Sequence, residues 1–214
     1  MRNSRFGQGV ALASVLGLCL AATAQAQDEG VKRVEQLTRK ARSMVDAIAN
    51  AKLQLLKTMD VYNTLMSEAA ADRKGAYKKL QQEIATTTER RATIVTRASD
   101  VDLEAEALFK GWSDSLAAIG DPALRQRSEQ RLATTKAHLA EIRNVGQKAA
   151  EVYGPVMKTL DDQVTYLGHD LNAAAVASLK PDAAKLNTEV QELGKRIDET
   201  ITTANEAIAA LEPQ

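Results

Sequence analysis

The densest run of versatile side chains in this sequence is Asp161-Asp162-Gln163-Val164-Thr165-Tyr166-Leu167-Gly168-His169-Asp170-Leu171-Asn172. On a helix, Asp162, Tyr166 and His169 fall along one stripe at i, i+4 and i+7, and Asn172 continues it. A carboxylate, a phenol and an imidazole in reach of one another are a set that can move protons. Two turns separate Asp162 from His169, an axial rise of roughly 10 Å, too far for both to grip one ion. Adjacent members are within helix-neighbour reach, so the stripe reads as a polar ladder that meets a partner helix and fixes its register. Contact with a small ligand is the sharper alternative. Asp161 and Asp162 point about 100° apart, so they do not form a general acid/base pair.

Metal chemistry finds little to work with. His138 and His169 are the two histidines, and the one thiol, Cys19, lies in the first 26 residues. A carboxylate-bridged metal pair in a bundle needs Glu-x-x-His, but Thr135 and Tyr166 stand where the glutamates should be. His138 with Glu141 reads as a surface hydrogen bond or ion pair. There is no glycine-rich phosphate loop, no Ser/His/Asp order and no HExxH. The expectation is a chain with no catalytic residue, metal or cofactor. Three other positions stand out. Arg91 falls on an apolar stripe and predicts a buried polar register pair. Trp112, beside Gly111, ends a wide apolar face and is a candidate docking anchor. Gly154-Pro155, inside a helical pattern, predicts a kink.

These residues sit on long helices. From Val31 almost to the C-terminus apolar residues alternate at three- and four-residue steps. The first helix should begin near Asp28, its candidate N-cap, with Val34, Ala41, Ile48, Leu55 and Tyr62 at steps of seven; Leu37, Met44, Ala51 and Met59 lie between. The pattern predicts helices over 29–70, 74–119, 122–179 and 181–211. Gly120-Asp121-Pro122 marks a turn. A hairpin at Asp72 to Gly75 is preferred to one helix running to Ile119, because folding back buries the stripe within one molecule. At ~1.5 Å per residue the second and third helices would each reach on the order of 65 to 85 Å. The fold class is all-α: an elongated antiparallel helical bundle, or coiled coil, of about four long helices.

Residues 1–26 read as a cleavable signal peptide. Arg2 and Arg5 form a basic start, Val10 to Leu20 an apolar run, and Ala24-Gln25-Ala26 a small-x-small cleavage site. The run is shorter than the roughly twenty apolar residues a spanning helix needs. Lipid attachment at Cys19 is disfavoured by Leu18 before it and by the cleavage site downstream. Residues 27–214 then form a single periplasmic domain without disulfides, held by helix packing. Arg2 and Arg5 are the leader's only charges, so the 28 basic and 28 acidic residues of the whole chain become 26 and 28, a net charge of −2. Interleaved charge near zero argues against nucleic acid and against a polybasic membrane peptide. Aromatics at 3% are too few for a stacking platform.

From about Tyr77 onward the chain resembles a bacterial domain-of-unknown-function family of exported, coiled-coil-rich proteins. The matching pieces are Ala107-Leu108-Phe109 with Trp112, Leu124-Arg125, Ser128-Glu129-Gln130, Pro155-Val156, Asp162-Gln163-Val164 and Tyr166-Leu167. His169, Leu171-Asn172-Ala173 and Ala177-Ser178-Leu179 also match. The family pattern Leu-Lys-His-Asn-Leu-Asn-Ala meets Leu167-Gly168-His169-Asp170-Leu171-Asn172-Ala173 here, so Gly168 and Asp170 depart from it. The resemblance implies an envelope location and no reaction. Three functional expectations follow. The first is a non-enzymatic scaffold or interaction module that binds an envelope protein or itself through helix faces. The second is a periplasmic carrier of lipid or another apolar ligand, opening at Gly154-Pro155. The least favoured is an enzyme centred on Asp162, Tyr166 and His169.

Overall fold

The computed structural model describes residues 13–67 and 72–211, with side chains from Gly30 onward except those of 145, 146, 148–150 and 152. It is all-helical, with no strand among the described residues. Five helices follow one another: α1 (Ala13–Met66), α2 (Arg73–Leu116), α3 (Pro122–His169), the short α4 (Ala173–Ser178) and α5 (Lys180–Leu211).

The helix boundaries are set by short polar side chains. The Asp72 carboxylate caps α2 by accepting from Gly75 N at 2.8 Å. A Cβ on Gly75 would strike that carboxylate and displace it from this position. Asp121 caps α3 by accepting from Ala123 N (2.7 Å) and Leu124 N (3.1 Å), with Pro122 in the first turn. The Arg125 guanidinium donates back to the Ile119 carbonyl, closing the α2–α3 turn. α2 itself stops at Leu116, three residues before the end its periodicity suggested.

Two boundaries correct the sequence reading. α1 begins at Ala13 rather than near Asp28, because the Ala- and Leu-rich stretch before Asp28 is itself a good helix former. Arg2 and Arg5, expected to begin a leader, lie outside the described residues. The helix expected over 122–179 breaks after His169. Asp170 turns to an extended conformation, and its carboxylate accepts from Asn172 N (3.2 Å) and Nδ2 (2.8 Å). Asn172 in turn caps α4 by accepting from Ala175 N at 2.8 Å. Side-chain-to-backbone bonds here outcompete continuation of the helix, although the apolar period runs straight through.

Packing partners follow a simple order: α1 lies mainly on α2, α3 mainly on α5, with α1–α5 and α2–α3 closing the set. The α1 and α2 strips run antiparallel, as Lys57 meets Glu83 (2.9 Å) and Lys40 meets Asp100 (3.5 Å). So do α2 and α3: Asp102 meets Arg143 (2.6 Å), Trp112 Nε1 donates to Ser128 Oγ (2.9 Å), and Tyr77 Oη donates to the Val164 carbonyl (3.1 Å). Between α1 and α5, Lys52 pairs with Asp198 (2.6 Å) and the Asn63 and Asn187 amides exchange hydrogen bonds. One connected core runs from Leu37 to Leu211, including Tyr62, Leu80, Leu160, Leu193 and Ile197. Gly168 admits the Tyr77 ring: a Cβ there would lie 2.7 Å from its hydroxyl.

Leu160 is fully buried whereas Leu53 is 63% exposed. Leu160→Ala should cost about 2–5 kcal/mol in urea unfolding, and Leu53→Ala less than about 0.5 kcal/mol. Equal losses would mean the faces are misassigned.

Candidate functional site

The polar stripe on α3 lies on the surface rather than in a helix seam, with Tyr166 reaching α4. Asp162 is exposed and pairs with Lys158 one turn away (2.5 Å). Tyr166 is 48% exposed, its hydroxyl 3.3 Å from Ser178 Oγ. His169 is the exposed last residue of α3, and Asn172 serves as the cap of α4. The buried line is Leu160, Gln163 and Leu167 instead, one residue out of phase with the expected ladder. Partial burial, with Asp162 next to it, pushes the Asp161 carboxyl up.

Arg91 is likewise exposed, not a buried register group. The buried line of α2 passes through Thr87 and Ile94 on either side of it, and a long flexible stem lets the guanidinium reach water. Trp112 is half-buried and held by its bond to Ser128. α3 runs on through Gly154 and Pro155, with the Thr159 hydroxyl donating to the Pro155 carbonyl (3.1 Å). His138 lies 3.7 Å from Glu141 on the surface.

The structure brings together a different set. Thr58 on α1 and Thr87 on α2 are both fully buried, with hydroxyls 2.8 Å apart. Thr58 also reaches the Gln54 carbonyl (2.9 Å) and Thr87 the Glu83 carbonyl (2.9 Å), so each hydroxyl has an acceptor on its own helix. Glu83 is 8% exposed; its carboxylate takes one hydrogen bond from Gln54 Nε2 (2.7 Å) and one ion pair from Lys57 (2.9 Å). The Lys57 and Gln54 hydrogen bonds hold its pKa below the ordinary carboxylate value, against the opposing effect of burial. On the α3 side, the buried Tyr62 hydroxyl donates to Gln163 Oε1. Burial, reinforced by Asp182, pushes the Tyr62 phenol far up, so it stays neutral.

This layer ties α1 to α2 and α1 to α3 by bonds among its own members, so it holds the register of the three helices. The contrast is Tyr153, fully buried on α3, whose hydroxyl has no hydrogen-bond partner among the described residues. Its phenol is also raised by burial. Outside the core, Ser43, Asp46, Ala47, Asn50, Arg90, Thr93 and Arg97 line a shallow groove of about 170 Å³ between α1 and α2. Among the described residues no three His, Cys, Asp or Glu side chains converge where a metal ion could sit. None of the helices searched among them is long and apolar enough to cross a membrane.

A family model described as a protein of unknown function, DUF2959, matches residues 24–211, so the chain belongs to that family. The match bears out the resemblance read from the C-terminal two-thirds and extends it to residue 24, within α1. No curated protein and no solved structure matches.

Two tyrosine variants should move in opposite directions. Tyr62→Phe strands the Gln163 amide and should lose about 1–3 kcal/mol, whereas Tyr153→Phe removes an unpaired buried hydroxyl and should gain up to about 1 kcal/mol; chemical denaturation reads both. The Glu83 pKa is lower folded than unfolded, so its stabilisation is present above the unfolded pKa and is lost as pH falls through the folded one. Unfolding free energy should therefore drop on acidification, with a shallower slope in Glu83→Gln. An unchanged slope would remove Glu83 from the account.

Proposed function

We propose that this member of the DUF2959 family is a non-enzymatic scaffolding or protein-interaction module of the cell envelope. In this reading the mature chain is an elongated antiparallel bundle of four long helices, in the manner of a coiled coil, and acts through its outer helix faces. The observation that carries it is the use of the buried polar groups. Thr58, Thr87, Gln54, Glu83, Tyr62 and Gln163 bond one another across helices, which leaves recognition to the surface, where Tyr166, Leu124 and Leu103 are exposed.

Export to the periplasm with loss of residues 1–26 belongs to the same proposal. If the Lys57–Glu83 and Lys40–Asp100 register continues at equal rise, Leu116 at the end of α2 falls opposite about residue 24. Residues before that point would run past the α2–α3 turn with no partner helix. The family match starting at residue 24 supports the same division.

A second reading, a periplasmic carrier of lipid or another apolar ligand, draws on Tyr153. Its unpaired hydroxyl sits beside Gly154 and Pro155, where α3 lacks one backbone donor. Photo-reactive residues placed near Trp112 and near His169 in living cells separate the readings. Reproducible protein adducts at either place are the expected result. Adducts to lipid alone, with lipid retained in native mass spectra, would replace the module with the carrier.

A further inference from the structure

On the side of α1 that faces α2, Lys40, Ala47 and Gln54 follow one another at steps of seven. Lys40 reaches Asp100 (3.5 Å) and Gln54 reaches Glu83 (2.7 Å), so long side chains bridge the seam on either side of Ala47. Ala47 itself has only a methyl group, and the seam opens there into the groove of about 170 Å³. Ser43, Asp46 and Asn50 line it from α1, and Arg90, Thr93 and Arg97 from α2 at i, i+3 and i+7. The register set by Lys57–Glu83 and Lys40–Asp100 puts Asn50 level with Arg90, Ser43 level with Arg97, and Asp46 between the two arginines.

At both ends of this groove the charges are matched. Asp100 is shared by Lys40 and Arg97 (3.4 Å), and Glu83 by Lys57 and Gln54. Between those ends they are not. Asp46 and Arg90 have opposite charge and line one cavity, yet neither has an ion pair among the described residues. The Ser43 hydroxyl and the Asn50 amide have no hydrogen bond among the described residues either. Thr93 Oγ1 donates to the Glu89 carbonyl (3.0 Å), which leaves its oxygen able to accept. A bare anion drawn to Arg90 is repelled by Asp46, and a bare cation drawn to Asp46 is repelled by Arg90 and Arg97. A ligand that carries both signs answers both.

We propose that this groove binds a small zwitterion: a primary ammonium and an oxyanion joined by a short carbon chain. The ammonium donates to the Asp46 carboxylate and to Thr93 Oγ1, and the oxyanion accepts from Arg90, with the Asn50 amide donating from the opposite helix. Hydrogen bonds with one ionised partner are the stronger kind, and both ends of the ligand make them. The volume lies below the roughly 300–1,000 Å³ of pockets for drug-sized molecules, so the groove takes a small molecule or the headgroup of a larger one. The site stands apart from the module reading, since it needs no protein partner.

Isothermal titration of the full chain with O-phosphoethanolamine and with β-alanine tests it. Saturable binding of at least one is expected, with inorganic phosphate and ethylamine each weaker by about tenfold or more. Asp46→Asn and Arg90→Gln change exposed side chains, so circular dichroism should show the fold intact, and each should weaken binding about tenfold. No saturation by either zwitterion up to about 10 mM would overturn the proposal. So would inorganic phosphate binding as tightly as the zwitterion, which would make this a plain anion site, and so would binding that both variants leave unchanged. Vesicles identify the source. If phosphatidylethanolamine vesicles bind the chain, phosphatidylcholine vesicles do not, and Asp46→Asn abolishes the difference, the ligand is a lipid headgroup; binding of the soluble zwitterions alone makes it a free small molecule. Protein adducts in cells bear on the module reading only, so each proposal can fail without the other.

Discussion

Everything in this molecule follows from one requirement: each long helix carries an apolar stripe that must be covered along its length. α1 alone runs for 54 residues. An isolated helix in water is marginal even in favourable sequences, because helix stability in proteins comes chiefly from packing of the apolar face. No disulfide is available among residues 27–214 to share the work. Side-by-side antiparallel neighbours are therefore the frame on which caps, turns and the polar layer are hung.

Coverage alone does not choose a register, since apolar stripes slide past each other at little cost. The polar layer supplies the choice. A slip of one helix past another would separate Thr58 from Thr87 and leave Gln163 without Tyr62, and unmatched buried polar groups are costly. Charge adds direction. α2 begins with Arg73, Lys74, Lys78 and Lys79 and ends among Asp100, Asp102, Glu104, Glu106 and Asp114. α3 opens with Arg125, Arg127, Arg131 and Lys136 and closes with Asp161, Asp162 and Asp170. Both gradients oppose the helix dipole, a penalty of about 0.3–1 kcal/mol per charge in a terminal turn. The compensation is that antiparallel packing sets the acidic second half of α2 beside the basic first half of α3, where Asp102 and Arg143 meet.

Helix content, the turn at Asp121-Pro122 and most of the seam were legible in the sequence because each has a local signal: period, cap or proline. The break at Asp170 was not, since it arises from Asp and Asn side chains competing for backbone while the apolar period continues. The polar layer did leave a trace. Thr58 lies seven residues from Ala51 and from Leu65, and Thr87 seven from Leu80 and from Ile94, so both interrupt otherwise apolar seven-residue lines. Following hydrophobic residues from Ala51 to Met59 steps over Thr58 and hides it. Arg91 and the Asp162 stripe were misplaced for the opposite reason. Charge on or near a seam suggests burial, but a surface is available one residue of phase away.

The contact between Tyr77 and Gly168 binds the start of α2 to the end of α3 through a space just large enough for a phenol. Any side chain at 168 and a tyrosine at 77 compete for that space. Positions 77 and 168, far apart along the chain, thus share one volume: a side chain at 168 would displace the Tyr77 hydroxyl from its bond to the Val164 carbonyl.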